Sequence, residues 1–156
     1  MRCAGDGPLY LERYLPSPVE QLLRSGDRSP VARSEIVEIG NLASSGRGGS
    51  LFLFVMLTAF LHRSRITHAA VTATQSLRRT FAAFGFEFSQ LARACPQRLP
   101  DGGSSWGSYF RTDPWVLAGP IAPASARLGA YLPDEHYGDL EDLTARLHSC
   151  EQDPLS

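Results

Sequence analysis

One acidic residue stands within the most β-branched stretch of the chain. Glu38 lies among Ile36, Val37 and Ile39 in residues 35–42, which we predict to form a strand. Alternation along a strand places Glu38 on the face of Ile36, opposite Val37 and Ile39. Apolar surroundings raise the pKa of a carboxyl group, and a raised pKa suits a general base that takes a proton from an amine. In the alternative interpretation, Glu38 pairs with an arginine or points to solvent.

A glycine- and serine-rich segment, residues 44–50, connects this strand to an apolar run at residues 51–61 that we predict to be a buried helix. Free backbone N–H groups and the helix dipole attract anions at such a helix N-terminus, and glycines let a ligand approach the backbone. Arg47 adds a forked donor for phosphate. The segment predicts a pyrophosphate site formed by Gly46, Arg47, Gly48, Gly49 and Ser50. A flexible surface loop capped by Ser50 is the alternative, and the dinucleotide pattern G-x-G-x-x-G is absent.

The residue inventory excludes several other kinds of active site. All 15 basic residues are arginines, so Schiff-base chemistry, Ser-Lys catalysis and a Walker phosphate loop lack their lysine. The three cysteines, Cys3, Cys95 and Cys150, lie far apart, which favours reduced thiols over disulfides or a zinc site. The four histidines show no metal-ligand spacing, and no G-x-S-x-G motif supports a hydrolase triad.

Length and composition set the broad class of protein. The 156 residues suffice for one domain, and 43 % hydrophobic with 20 % charged residues is a globular composition. A net charge of −1 argues against nucleic-acid binding. The N-terminus lacks the apolar core of a signal peptide, and residues 51–61 are too short to span a bilayer. We therefore expect a cytoplasmic protein without integral membrane association.

The centre of the chain predicts a strand, a loop, a helix, a second strand at residues 68–74 and a second helix. Thr74 or Ser76 can cap the second helix, whose shared apolar face is formed by Leu77, Phe81 and Phe84. Two strands joined by a helix should lie parallel, with a right-handed crossover. The predicted fold class is α/β (α+β), a mixed sheet flanked by helices.

Shorter elements are predicted on either side of this centre. Ser17 and Glu20 form the capping box of a short helix. The remaining predicted elements are strands at residues 106–110 and 115–117 and an amphipathic helix at residues 140–147.

Several segments carry a resemblance to known families. Gly-Arg-Gly-Gly before the buried helix, Ala-Val-Thr-Ala-Thr at residues 70–74 and the helix at residues 77–86 resemble the acyl-CoA-binding half of GNAT acyltransferases. The chain is more similar to the thermostable hemolysin family, which is thought to be GNAT-like and related in fold to acyl-homoserine lactone synthases. Its most specific segment is Ile-Val-Glu-Ile-Gly-Asn-Leu-Ala-Ser at residues 36–44. The other matching segments are residues 7–15, 72–74, 98–100, 106–110 and 116–119.

This resemblance implies one GNAT-like domain over residues 1–132, followed by a C-terminal helix and polar tail over residues 133–156. It implies an acyltransferase that moves an acyl group from a coenzyme A or acyl-carrier thioester to a small nucleophile by direct attack. Glu38 is then the general base and Tyr109 the general acid near the thiolate, with a core aromatic role as the alternative for Tyr109. The residues implied to bind acetyl-CoA or another acyl thioester are Ile39, Asn41, Leu42, Gly46, Arg47, Gly48, Gly49 and Ser50. A hemolysin-like membrane-active protein and a non-catalytic truncated remnant are the alternative functions.

The resemblance also implies that strands are missing ahead of the central strand. Only 35 residues precede Ile36, and residues 2–4 fit the tail of the last missing strand. We therefore expect an N-terminally shortened chain in which one edge of the strand at residues 36–39 is unpaired. Such an edge invites self-association.

Overall fold

The computed structural model describes residues 1–23, 30–40 and 49–129, apart from the side chains of residues 49–52 and 129. Several predicted features lie outside the described residues. They include the C-terminal helix at residues 140–147 and the domain boundary at residue 132. They also include five of the residues predicted to bind the acyl thioester: Asn41, Leu42, Gly46, Arg47 and Gly48.

A five-stranded mixed sheet forms the centre of the fold, with the strand order β1-β2-β3-β5-β4. Its strands are β1 (Arg2–Cys3), β2 (Ile36–Glu38), β3 (His68–Ala73), β4 (Ser89–Arg93) and β5 (Trp115–Pro120). The pair β2 and β3 is parallel, as predicted for two strands joined by a helix, and the other pairs are antiparallel. The predicted class, a mixed α+β sheet flanked by helices, is confirmed.

Four α-helices accompany the sheet in the described part of the chain. They are α1 (Val19–Leu22), α2 (Gly49–Arg63), α3 (Gln75–Ala83) and α4 (Ala122–Gly129). Thr74 caps α3 by accepting a hydrogen bond from the Leu77 N–H at 3.4 Å, which confirms one of the two predicted caps. The chain leaves α3 at Gly85, whose φ of 84° favours glycine.

The two faces of the sheet are covered differently. Helices α2, α3 and α4 pack on one face through a core that includes Phe54, Phe81 and Leu128. Strand β3 alternates, so Val71 joins that core while Ala70 faces the other side. On that other side, the N-terminal segment and the loop after β4 supply the cover. Its buried side chains include Leu9, Leu11, Tyr14, Val19 and Leu99.

Helix α2 confirms the predicted helix after the glycine-rich segment, but it is not buried on all sides. Phe54, Val55 and Leu61 are buried, whereas Leu53 is 40 % exposed. The reason is that α2 belongs to the outer layer, so only the side that meets the sheet and α4 is covered.

The predicted strand at residues 106–110 is wrong. The chain there forms two 3₁₀ turns, Ser104–Trp106 and Tyr109–Thr112, separated by Gly107 at a φ of 54°. Strand β5 confirms the predicted strand at residues 115–117 and extends to Pro120. Strand β4 was not predicted, because Ser-Gln-Leu-Ala-Arg at this sheet edge carries no β-branched residue and no clear alternation.

Two local predictions near the N-terminus are also corrected. Helix α1 is capped by a side chain from elsewhere, because the Val19 N–H donates to Glu12 Oε1 at 3.0 Å and Ser17 makes no cap. Of the predicted strand at residues 35–42, the structure describes residues 35–40, and only Ile36–Glu38 of these form β2.

The expected unpaired edge beside β2 is likewise wrong. Strand β1 pairs with β2 in antiparallel register, with Arg2 opposite Glu38 and Cys3 opposite Val37. Strand β2 therefore has a neighbour on each side, and the outer edges of the sheet lie at β1 and β4. Self-association stays a prediction.

Candidate active site

A cavity of about 470 Å³ opens on the face of the sheet that the N-terminal segment covers. It lies at the carboxyl ends of the parallel strands β2 and β3. Glu38 and Ile39 line it from the first strand, and Thr72 and Thr74 line it from the second. A cavity of this size accommodates a small organic substrate.

The cavity forms where β2 and β3 separate. The two strands pair from Ile36 opposite His68 to Glu38 opposite Ala70, and the Ile39 N–H donates to the Ala70 carbonyl at 2.9 Å. Strand β3 then continues to Ala73, while β2 ends at Glu38. Beyond this pairing, Thr72 borders the cavity, whereas Val71 and Ala73 are fully buried.

Glu38 is held by the backbone of the N-terminal segment. Its carboxylate accepts hydrogen bonds from the Tyr10 N–H at 2.6 Å and the Leu11 N–H at 3.1 Å. Burial raises the pKa of Glu38, and these two N–H groups and Arg2 offset that rise only in part. The raised pKa is the direction expected from sequence. Glu38 accepts from backbone N–H groups, whereas the alternative interpretation paired it with an arginine.

Tyr109 reaches the same cavity from the turn that replaces the predicted strand. Its hydroxyl donates to the Thr72 carbonyl at 3.3 Å, and burial raises the pKa of its phenol. The ring of Trp106 lies 5.4 Å from that of Tyr109 and 5.9 Å from that of Tyr10, measured between centroids. These three rings form a continuous aromatic wall.

Three of the predicted site residues therefore line one cavity: Glu38, Ile39 and Tyr109. Gly49 is the first residue of helix α2, and Ser50 follows within the helix. No side-chain contact is described for either residue.

Arg2, Tyr10 and Tyr14 also line the cavity, although no sequence motif marks them as site residues. Tyr10 and Tyr14 are four residues apart, at the two ends of a 3₁₀ helix, Tyr10–Tyr14. Residues three apart share a side of a 3₁₀ helix, so a spacing of four gave no signal that both tyrosines line one cavity.

Arg33 fixes the segment that carries these two tyrosines. Its guanidinium donates to the backbone carbonyls of Ala4 and Gly7 at 3.0 Å each, and to the carboxylates of Glu12 at 2.8 Å and Glu20 at 2.6 Å. Glu12 also accepts from the Leu9 N–H at 2.8 Å. Burial alone raises the pKa of Glu12, but the hydrogen bonds from Arg33 and the backbone outweigh it and hold the pKa below its usual value.

Fold and site together define an α+β protein with one mixed sheet and an aromatic cavity at the ends of two parallel strands. The family model of the thermostable hemolysins matches residues 1–125, so the chain belongs to the thermostable hemolysin family. Comparison with curated proteins and with solved structures gives no match.

Within residues 1–23, 30–40 and 49–129, no helix has both the length and the apolar character needed to cross a bilayer. The same residues bring together no group of three His, Cys, Asp or Glu side chains that could hold a metal ion.

Proposed function

We propose that this chain is an acyltransferase. It binds a coenzyme A or acyl-carrier thioester at the cavity and transfers the acyl group to a small nucleophile. The observation that carries the proposal is the convergence of Glu38 and Tyr109 on one cavity, at the point where β2 and β3 separate. The carboxylate of Glu38, whose pKa is raised, can serve as the base of such a transfer, and the phenol of Tyr109 can serve as the acid.

The walls of the cavity suit a thioester donor. Ile39 and Leu77 supply apolar surface for an acyl chain. The pantetheine arm of coenzyme A carries amide groups, and the backbone of Thr72, beyond the end of β2, offers them hydrogen-bond partners. The N-terminus of α2 begins at Gly49, eleven residues after the end of β2, and such a terminus favours phosphate. Contacts of the pyrophosphate with Gly46, Arg47 and Gly48 stay predictions.

The proposed reaction proceeds by direct attack. Glu38 takes a proton from the nucleophile, which attacks the thioester carbonyl carbon. The carbon–sulfur bond breaks, and the Tyr109 hydroxyl gives its proton to the leaving thiolate. The raised pKa of Tyr109 keeps the phenol protonated at neutral pH, so the acid is ready before the transfer. Proton exchange with water then returns both side chains to their starting states.

Calorimetric titration of the full chain with acetyl-CoA tests this function. We expect Arg47→Gln to weaken binding roughly tenfold or more, because a charge-assisted hydrogen bond to phosphate is lost. Arg93→Gln is the matched control, because Arg93 pairs with Asp113 at the surface and does not line the cavity. Equal affinities for the parent and the Arg47 variant would place the pyrophosphate elsewhere.

A second series separates the proposed function from its rivals. The full chain is titrated with acetyl-CoA and a longer acyl-CoA, and it is also mixed with erythrocytes. Binding without lysis supports the acyltransferase. Lysis without binding would favour a membrane-active protein, and the absence of both would favour a non-catalytic chain.

A further inference from the structure

Two opposite charges stand side by side in the wall of the cavity. Arg2 of β1 lies directly opposite Glu38 of β2 in the antiparallel register, and both residues line the cavity. Side chains at opposed positions of an antiparallel pair share one face, with Cβ atoms roughly 5 Å apart. The cavity therefore presents a cation and an anion at adjacent positions.

These two charges do not satisfy each other by a direct contact. Glu38 is engaged by the backbone N–H groups of Tyr10 and Leu11. Its oxygens still have unused acceptor sites, since a carboxylate offers about four. Within the part of the chain that the structure describes, Arg2 forms no side-chain hydrogen bond or ion pair. Its charge interacts with Glu38 at longer range and lowers the pKa of that carboxyl group. Its guanidinium N–H groups remain available to a ligand.

We propose that the acyl acceptor is a zwitterion, a free α-amino acid with an apolar or aromatic side chain. Its ammonium group lies against Glu38 and its carboxylate against Arg2. Glu38 takes the first proton, which frees the amine for attack, and the Tyr109 phenolate left after protonation of the thiolate takes the second. This inference rests on the proposed acyl transfer, because it names the class of nucleophile. A simple amine fits less well, since it leaves Arg2 unpaired and close to a second positive charge. Guanidinium and carboxylate groups also match in shape, which adds geometric selectivity.

The aromatic wall selects the side chain of this amino acid. The rings of Tyr10, Trp106 and Tyr109 follow one another along the cavity, and Trp106 is 38 % exposed. An apolar or aromatic side chain of the bound amino acid removes the surface of these rings from water, whereas free glycine, which has no side chain, leaves that surface uncovered. The amino acid thus contacts the wall while its amine stays beside Glu38.

Three probes that share a phenyl ring test the inference on the full chain. Phenylalanine carries both charges, phenethylamine lacks the carboxylate and 3-phenylpropionate lacks the amine. Titrations followed by calorimetry or NMR should show phenylalanine binding roughly tenfold more tightly than either analogue, the effect of one charge-assisted contact. Equal binding of phenylalanine and phenethylamine by the parent would overturn the role of the carboxylate.

Variants assign each charge to its partner. Arg2→Gln should abolish the preference for phenylalanine over phenethylamine. Glu38→Gln should abolish the preference for phenylalanine over 3-phenylpropionate. Arg93→Gln, remote from the cavity, should keep both preferences. An unchanged preference in the Arg2 variant would refute the assignment. Thermal unfolding verifies that each variant folds, and if Glu38→Gln does not, the comparison of probes on the parent decides.

These readouts need no acyl donor, so the two proposals fail separately. Phenylalanine binding without acetyl-CoA binding would refute the acyltransferase and leave the zwitterion site. Acetyl-CoA binding with no preference for phenylalanine would refute the zwitterion and leave the acyltransferase.

Discussion

Replacement of Arg33 by glutamine should destabilise the N-terminal segment and loosen the cavity wall. In the native chain the Arg33 guanidinium ties two backbone carbonyls and two carboxylates into one network. Glutamine is shorter and uncharged, so Glu12 and Glu20 lose their shared counter-charge. The segment that holds Glu38 and carries Tyr10 then loses its main polar anchor.

The size of the effect follows from burial and contact number. A hydrogen bond to a charged group contributes about 1.5 to 3 kcal/mol, and breaking a buried ion pair costs about 3 to 5 kcal/mol. The side chain of Arg33 is 29 % exposed and that of Glu12 is 14 % exposed, so water replaces part of what is lost. We therefore expect the free energy of unfolding to fall by about 3 kcal/mol, well below the sum of the individual contacts.

Urea denaturation of Arg33→Gln and Arg93→Gln measures this difference. Arg93 and Asp113 approach as closely, at 2.6 Å, but their side chains are 61 % and 48 % exposed. Loss of such a surface pair should leave stability nearly unchanged. Equal losses in the two variants would refute the reasoning, because burial would then not be what makes the Arg33 network stabilising.

Three further predictions test separate parts of the structure. Glu38→Gln should slow acyl transfer at least tenfold while acetyl-CoA binding changes little, and an unchanged rate and pH profile would exclude Glu38 as the base. Burial lowers the pKa of His68, so the free energy of unfolding of the parent should fall as the pH drops from about 6.5, the pKa in the unfolded chain, towards the lower pKa in the folded chain. His68→Gln should lose this dependence of stability on pH. An identical dependence in the variant would contradict the prediction. A Cβ at Gly119 would lie 2.5 Å from the Glu87 carbonyl oxygen, whereas one at Gly40 would meet nothing within 4 Å. Gly119→Ala should therefore lower the melting temperature far more than Gly40→Ala, and similar melting temperatures would contradict the packing argument.

The central part of the fold could be predicted because its signals are local. The β-branched run around Ile36, the apolar run of α2 and the Thr74 cap each show their structure in a few neighbouring residues. Strand β4 could not be predicted in the same way, because its pairing with β5 comes from distant residues.

The candidate site likewise contains residues that local sequence signals indicate and residues that they do not. Glu38 was accessible to sequence reasoning because a carboxylate in a β-branched strand is unusual, and its raised pKa follows from burial. Tyr109 was identified by resemblance although its segment forms a turn rather than a strand. The positions of Arg2 and Tyr10 in the cavity wall depend on how Arg33 and strand β1 hold the N-terminal segment, which no local pattern shows.

The central claim, that this cavity binds an acyl thioester, is tested most directly by the two tryptophan indole signals. Trp106 lines the cavity, whereas Trp115 lies on β5, with its indole N–H donating to Asp113 at 3.2 Å. In a ¹⁵N-labelled full chain, with signals assigned by Trp106→Phe, titration with acetyl-CoA should shift the Trp106 indole signal in a saturable way and leave that of Trp115 in place. Saturable acetyl-CoA binding by calorimetry with an unmoved Trp106 signal, or no response of either signal, would contradict the account.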